Sequence, residues 1–277
     1  ISLSESCKDV VCERIIECIK YWVPSCIEIA YKRQDTIEVK FYADDRGKED
    51  YLSMDSNIKD DLIPDEYSMR YHYKNKYDLH PMTFKKFYAN WVKRSHIIFW
   101  RGSTTGGGCI NSTKDLETLE RVKVCFLYKD LMGFDIKISR IVQNNLPSQI
   151  VKQFLQAKNI YGRPVLESRF KRYCYYLDIP GNALAWGTIR KHMSGNLVLR
   201  ANQNRYLYYY HFMKPWIHFI PVKSDYSDVQ EKLEWAENNI SKSAEIAWNG
   251  YIFSHQYIND IPIHLVNSIK KYLKRSD

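Results

Sequence analysis

The residues best suited to chemistry lie between His96 and Gly108, in the run HIIFWRGSTTGGG. Apolar residues Ile97 to Trp100 give way at once to Arg101, Gly102, the hydroxyls of Ser103, Thr104 and Thr105, and then Gly106 to Gly108. A buried strand that opens into such a loop suits an anion. Glycine lets backbone N–H groups approach a ligand with no Cβ in the way, and arginine carries a charge that does not titrate away. Ser112 with Asp115 three residues later predicts a capped helix start just beyond, so the loop would end at a helix N-terminus. The run lacks the GK[ST] of a Walker loop, and its glycines are adjacent rather than spaced as GxGxxG. Two readings stand at this point: an anion-binding loop, or a tight strand-to-helix turn with no ligand.

The elements that must hold this loop follow from periodicity. Val11, Ile15, Cys18, Ile19 and Trp22 recur at helical spacing up to Pro24, and Ile27–Tyr31 and Ile37–Phe41 alternate as strands. Residues 48–95 are polar and weakly periodic, as expected of long loops with short elements. Beyond Ser95, strands at 97–100, 134–138, 173–179, 197–199 and 217–221 alternate with helical stretches. The first helix has Leu116, Leu119, Val122 and Phe126 on one face. A later one opens at Ser227 with Gln230 as its capping-box partner, and the last carries Ile263, Val266, Ile269 and Leu273. This alternation predicts an α/β fold with a parallel sheet and ligands at the carboxyl ends of its strands.

The chain of 277 residues is long enough for one large domain or two small ones, and its 45% apolar content excludes a disordered chain. A net charge of +9 suits an anionic partner, and 22 tyrosines suit half-wet clefts such as those that bind sugars. The seven cysteines have no framework spacing and read as reduced core thiols; with His72, His80 and His96 they show no zinc-ligand spacing. No apolar run approaches the roughly 20 residues that cross a bilayer.

Five segments in order resemble glycosyltransferase family 90. WRGSTTG (Trp100–Gly106) is similar to its FRGS-type motif, and YCYYLDIPGN (Tyr173–Asn182) to its KYLLDIDGN-like segment. SGNLVL (Ser194–Leu199), KPWIHFIPVKSDYSDV (Lys214–Val229) and EIAWNGYIF (Glu245–Phe253) resemble its strand, KPW run and late helix. The resemblance implies a GT-B architecture of two facing Rossmann-like α/β domains: a small N-terminal acceptor-side domain (1–94) and a nucleotide-sugar-binding domain (95–261), with a C-terminal helix (262–277) that packs back on the first. It implies inverting, metal-independent transfer of glucose, galactose or xylose from a UDP-sugar to a glycan hydroxyl, with lipopolysaccharide or another surface polysaccharide as the acceptor. No cofactor is needed, because the UDP-sugar is itself the donor substrate. The absence of any Asp-x-Asp triplet agrees with metal independence.

By this resemblance, Arg101, Gly102, Ser103, Thr104, Thr105 and Gly106 hold the diphosphate with Asn182 and Arg190, and Trp186 stacks on sugar or uracil. Gly187 stands where the protein O-glucosyltransferases have an arginine. Arg190, one turn later, is its candidate replacement or else a solvated helix residue, and Arg121 is a looser match to a second family arginine. The resemblance makes Asp45 the general base, with Asp44 as the alternative, at the end of strand Ile37–Tyr42, and Asp65 and Asp78 as further alternatives; Asp44 and Asp45 also read as a plain acidic turn. Trp216 and His218 read first as packing residues. The basic C-terminal helix, with Lys270, Lys271, Lys274 and Arg275, is a solvated face or a peripheral contact with anionic lipid. The expected location is the cytoplasm, including the inner membrane face. Three alternatives remain: a protein O-glycosyltransferase of the same family; from another class, a basic nucleic-acid-binding protein; and a glycosyltransferase-like lectin without catalysis, which Gly187 keeps open. Dispersed basic residues and the lack of a recognised module argue against nucleic acid as a partner.

Overall fold

The computed structural model describes residues 41–42, 51–56, 62–74 and 82–274. The expected helix at 11–22, the strand at 27–31, the first four cysteines and both Asp44 and Asp45 lie outside the described residues. The chain divides into two compact units, one formed from 1–80, 204–212 and 255–277, the other from 81–203 and 213–254.

The smaller unit contains short strands: β1 (Phe41–Tyr42) parallel to β2 (Leu52–Ser53), and β3 (Asp55–Ser56) antiparallel to a later strand, Tyr206–Leu207. Its helix Glu66–Lys74 starts after Asp65, whose carboxylate accepts the Ser68 N–H at 2.9 Å and the Ser68 hydroxyl at 2.6 Å. Its C-terminal helix Ile261–Leu273 is anchored by the Ser268 hydroxyl, which donates to the Leu62 carbonyl at 2.9 Å. The buried face of this helix is Ile261, Leu265, Ser268 and Ile269, while Ile263 is exposed. The expected face is thus rotated. Apolar residues surround this helix, so spacing alone does not choose which of them meets the neighbour.

The larger unit is built on five parallel strands. In chain order they are β4 (Ser95–Ser103), β5 (Phe134–Arg140), β6 (Tyr173–Asp178), β7 (Leu197–Ala201) and, after β8 (Tyr206–Leu207) of the other unit, β9 (Ile220–Val222). Their order across the sheet is β5-β4-β6-β7-β9. β7 is buried along its whole length and β6 from Cys174 onward, as a sheet covered on both faces requires. The α/β expectation holds for this unit.

Local signals decide several boundaries. Ser112 and Asp115 form the expected capping box ahead of the helix Thr113–Thr118. The chain then breaks at Leu119, whose backbone is extended, and restarts as Glu120–Tyr128, so the expected single helix is two. Ser227 does not open its helix. Its hydroxyl is bonded to Asp225, and the helix runs Val229–Asn238. The 48–95 stretch holds a helix the polarity hid: Phe84–Trp91, capped by Thr83, with Phe87 and Trp91 buried. Phe84, Phe87, Tyr88 and Trp91 were its signal, at i, i+3, i+4 and i+7. Among the described residues no helix is long and apolar enough to cross a membrane.

Candidate functional site

The sheet has one topological switch point. From β4 the chain passes outward to β5 on one side, and from β6 it passes to β7 on the other, so the loops after β4 and β6 diverge from adjacent strands. Such a crevice at the carboxyl ends is where open α/β sheets bind ligands. The two loops here are Thr104–Gly108 and Ile179–Asn182, the segments singled out from sequence.

Their shape starts at Trp100. Trp100 is buried, and a Cβ on Gly102 would lie 2.1 Å from its Cζ2, so the strand can place an indole there only if residue 102 is glycine. Thr104 is fully buried and pins the loop to the chain beyond β5: its hydroxyl donates to the Val142 carbonyl at 2.7 Å and accepts the Val142 N–H at 2.9 Å. Gly106 has φ +108 and crosses close to Gly181, whose carbonyl oxygen lies 3.2 Å from where a Cβ on Gly106 would stand. Its N–H donates to the Asn182 side-chain carbonyl at 3.0 Å, joining the two loops.

Arg121, from the second half of the broken helix, completes the joint. Its Nε donates to the Pro180 carbonyl at 2.7 Å and its Nη2 to the Ile179 carbonyl at 3.2 Å. Its Nη1 donates to the Ser103 carbonyl at 3.2 Å, the Ser103 hydroxyl at 3.1 Å and the Thr105 hydroxyl at 2.6 Å. The guanidinium also lies over the Trp100 ring, 5.5 Å from its centroid. Burial lowers its pKa, and Tyr176 and Asp178 oppose this; an arginine keeps its charge regardless. Having accepted from Arg121, the Ser103 and Thr105 hydroxyls keep their own protons. They lie 3.3 Å apart, so one donates to the other and one is left for a ligand oxygen.

Arg101 is placed differently. Its Nη2 meets both carboxylate oxygens of Asp135 on β5 at 2.7 Å, its Nη1 donates to the Trp100 and Asp135 carbonyls at 2.8 Å, and its Nε to the Arg163 carbonyl at 3.3 Å. Its side chain is 11% exposed and lies over Phe99. The guanidinium that reaches the Ser103–Thr105 hydroxyls is therefore Arg121, while Arg101 ties β4 to β5.

Beyond Asn182 the chain enters the helix Thr188–Met193. The Thr188 hydroxyl donates to the Asp178 carboxylate at 2.7 Å, fixing this helix beside the end of β6. Asp178 is a buried carboxyl that the sequence reading passed over. Burial pushes its pKa up, and the Thr188 hydroxyl, Arg200, Lys191 and Arg121 pull it back. Arg190 is paired with Glu167 at 2.7 Å, and Trp186 is half-buried. Among the described residues no cluster of three His, Cys, Asp or Glu residues could hold a metal ion.

The family model described as glycosyl transferase family 90 matches residues 74–275. The chain belongs to glycosyl transferase family 90.

Protein O-glucosyltransferase 1 of Rattus norvegicus is 33% identical over 105 residues, 37% of this chain and 27% of that protein. Uncharacterized protein 179R of Invertebrate iridescent virus 6 is 28% identical over 192 residues, 62% of this chain and 16% of the relative. Protein O-glucosyltransferase 2 of Danio rerio is 24% identical over 171 residues, 61% of this chain and 30% of the relative. The chain thus spans less than a third of the length of each of these curated relatives. Within this member of glycosyl transferase family 90, the structure brings Ser103, Thr105, Gly106 and Asn182 together around Arg121. It bonds Thr104 to Val142 and pairs Arg101 with Asp135. Arg121 follows Glu120 in an ordinary amphipathic helix, so its sequence signal was weak.

Proposed function

We propose that this family 90 chain is an inverting glycosyltransferase whose larger unit holds a UDP-sugar at the carboxyl ends of β4 and β6. The observation that carries this reading is the arginine-bridged pair of loops at the switch point of the sheet. It brings a buried cation and a hydroxyl proton to one place beside the Gly106–Gly108 backbone, which suits a diphosphate. Arg121 holds the cradle and faces the phosphates with Gly106 to Gly108 and Asn182; Arg190 adds charge as UDP departs. Trp186 offers a ring to sugar or uracil.

The chemistry is a single displacement. A carboxylate, Asp45 or alternatively Asp44, takes the acceptor hydroxyl proton. The acceptor oxygen then forms its bond to the anomeric carbon from the face opposite UDP, and the bond to the diphosphate oxygen breaks. A GT-B arrangement, with this base on the N-terminal domain, and transfer without a metal are part of the proposal. The acceptor is a glycan hydroxyl, such as that of a surface polysaccharide. The named relatives favour a second acceptor, a hydroxyl of a protein side chain. Docking of Lys270, Lys271 and Lys274 on an anionic membrane face would bring the enzyme to a lipid-linked acceptor at the cytoplasmic side.

The test is a melting panel with UDP, UDP-glucose, UDP-galactose, UDP-xylose and UDP-GlcNAc, followed by transfer assays with the best donor. A nucleotide at a hundred times its Kd stabilises by about 2.7 kcal/mol, which moves the midpoint by several degrees. No shift with any of them would remove the donor reading.

A further inference from the structure

Glu167 stands at the start of the 3-10 turn Glu167–Arg172 and bridges two cations. One carboxylate oxygen is 2.7 Å from Arg190 Nη1 and the other 2.7 Å from Lys191 Nζ. The two cations are not equivalent. The Lys191 side chain is 9% exposed, with its ammonium 4.4 Å from the Phe170 ring centroid and 5.3 Å from that of Tyr176. Withdrawing Glu167 from it would strand a buried charge, which is strongly unfavourable. The Arg190 side chain is 25% exposed and that of Glu167 is 35% exposed, so this half of the bridge is in reach of water and can exchange.

The bridge also lies close to the loop joint. Thr188, in the same helical turn as Arg190, is bonded to Asp178 at the end of β6. Tyr176 feels both Arg121 and Arg190, and Asp178 feels both Lys191 and Arg121. The space over Gly187 is occupied by these cations, with Arg190 Nη2 3.3 Å and Lys191 Nζ 3.6 Å from where a Cβ would stand.

Resting on the donor reading above, we propose that Glu167 is an anion gate. Its carboxylate pairs with Arg190 and competes with the diphosphate of a nucleotide for that guanidinium, while its other oxygen stays on Lys191. The nucleotide replaces one oxyanion by another at Arg190 and leaves the buried pair intact. Glu167 therefore weakens nucleotide affinity and keeps the arginine placed for a phosphate rather than for water.

The experiment is calorimetric titration of UDP, at low salt, into the wild type, Glu167→Gln, Glu167→Asp, Arg190→Gln and Glu167→Gln/Arg190→Gln. Both Glu167 variants should bind UDP about fivefold more tightly, the scale of one exposed charge pair. Aspartate, one methylene shorter, reaches Lys191 alone, so it keeps the buried ammonium paired even if glutamine destabilises the fold. The gain should vanish in the Arg190→Gln background. Unchanged or weaker binding by the Glu167 variants would show that Glu167 only positions Arg190 and would overturn the gate. So would a gain that persists without Arg190. If neither the wild type nor any variant binds UDP, the donor reading fails and the gate fails with it; wild-type binding with no gain isolates the gate as the error.

Discussion

Replacing Arg121 with alanine removes a side chain that bonds to both sides of the site. Three carbonyls lose a charged donor: Ser103 at the end of β4, and Ile179 and Pro180 from the second loop. At about 1 kcal/mol net for each hydrogen bond, with water entering to satisfy part of the deficit, the loss is about 3 kcal/mol. For a chain of this size that lowers the melting midpoint by roughly 6–12 °C. The effect on the ligand should be larger than the effect on the fold, because the Ser103 and Thr105 hydroxyls lose the donor that orients them and the cation itself is gone. Arg121→Lys separates the two contributions. An ammonium restores the charge but has no planar fork to reach from the Pro180 carbonyl to the Thr105 hydroxyl. It should recover part of the midpoint and little of the UDP affinity. Differential scanning fluorimetry and UDP titration on the three proteins read both quantities. An Arg121→Ala protein that melts within about 1 °C of wild type and binds UDP equally well would refute the claim that this guanidinium builds the site.

Gly102→Ala should lower stability by about 2 kcal/mol, since its Cβ meets the buried Trp100 indole and the ring must leave its place; a melting curve checks this. Asp45→Asn should keep UDP affinity and lose sugar transfer, and full transfer by that variant moves the base to Asp44 or beyond. A pH dependence follows from His192, which is fully buried with neither ring nitrogen hydrogen-bonded among the described residues. Burial, then Arg200 and His218, hold its pKa well below 6.5. The unfolded chain binds the proton first, so stability is complete above about pH 6.5 and is lost as pH falls, by up to about 1.4 kcal/mol per unit. His218, lowered as well, adds the same sign. Asp178, raised, acts in the opposite sense in the acid region above its ordinary 3.8. Melting from pH 8 to pH 5 should therefore be shallower for His192→Leu than for wild type; equal slopes would exclude His192 as a source.

Much of the larger unit was legible because its signals are local. An apolar run such as Ile97–Trp100, bounded by a glycine loop, has few ways to fold other than as a buried strand. Ser112 and Asp115 cap a helix whatever lies around them, because each satisfies a backbone N–H of the other's turn. Where apolar residues were redundant, as around Ile261–Ile269, the pattern named the helix and left its face open. Where the deciding contact came from a neighbour, as with Ser227 and Asp225, the boundary moved.

The same division governs the site. The sequence by itself determined that an apolar strand runs into the glycine loop Arg101–Gly108, and the resemblance of Tyr173–Asn182 to a second family segment made Asn182 its expected partner. Only the tertiary structure decided which arginine serves the loops. Strand pairing sets Asp135 beside Arg101 and engages its charge, whereas Arg121 finds its acceptors 18 residues away at Ser103 and 59 residues away at Pro180. A guanidinium goes where unsatisfied oxygen atoms converge, and that convergence is a property of the folded sheet rather than of neighbours along the chain.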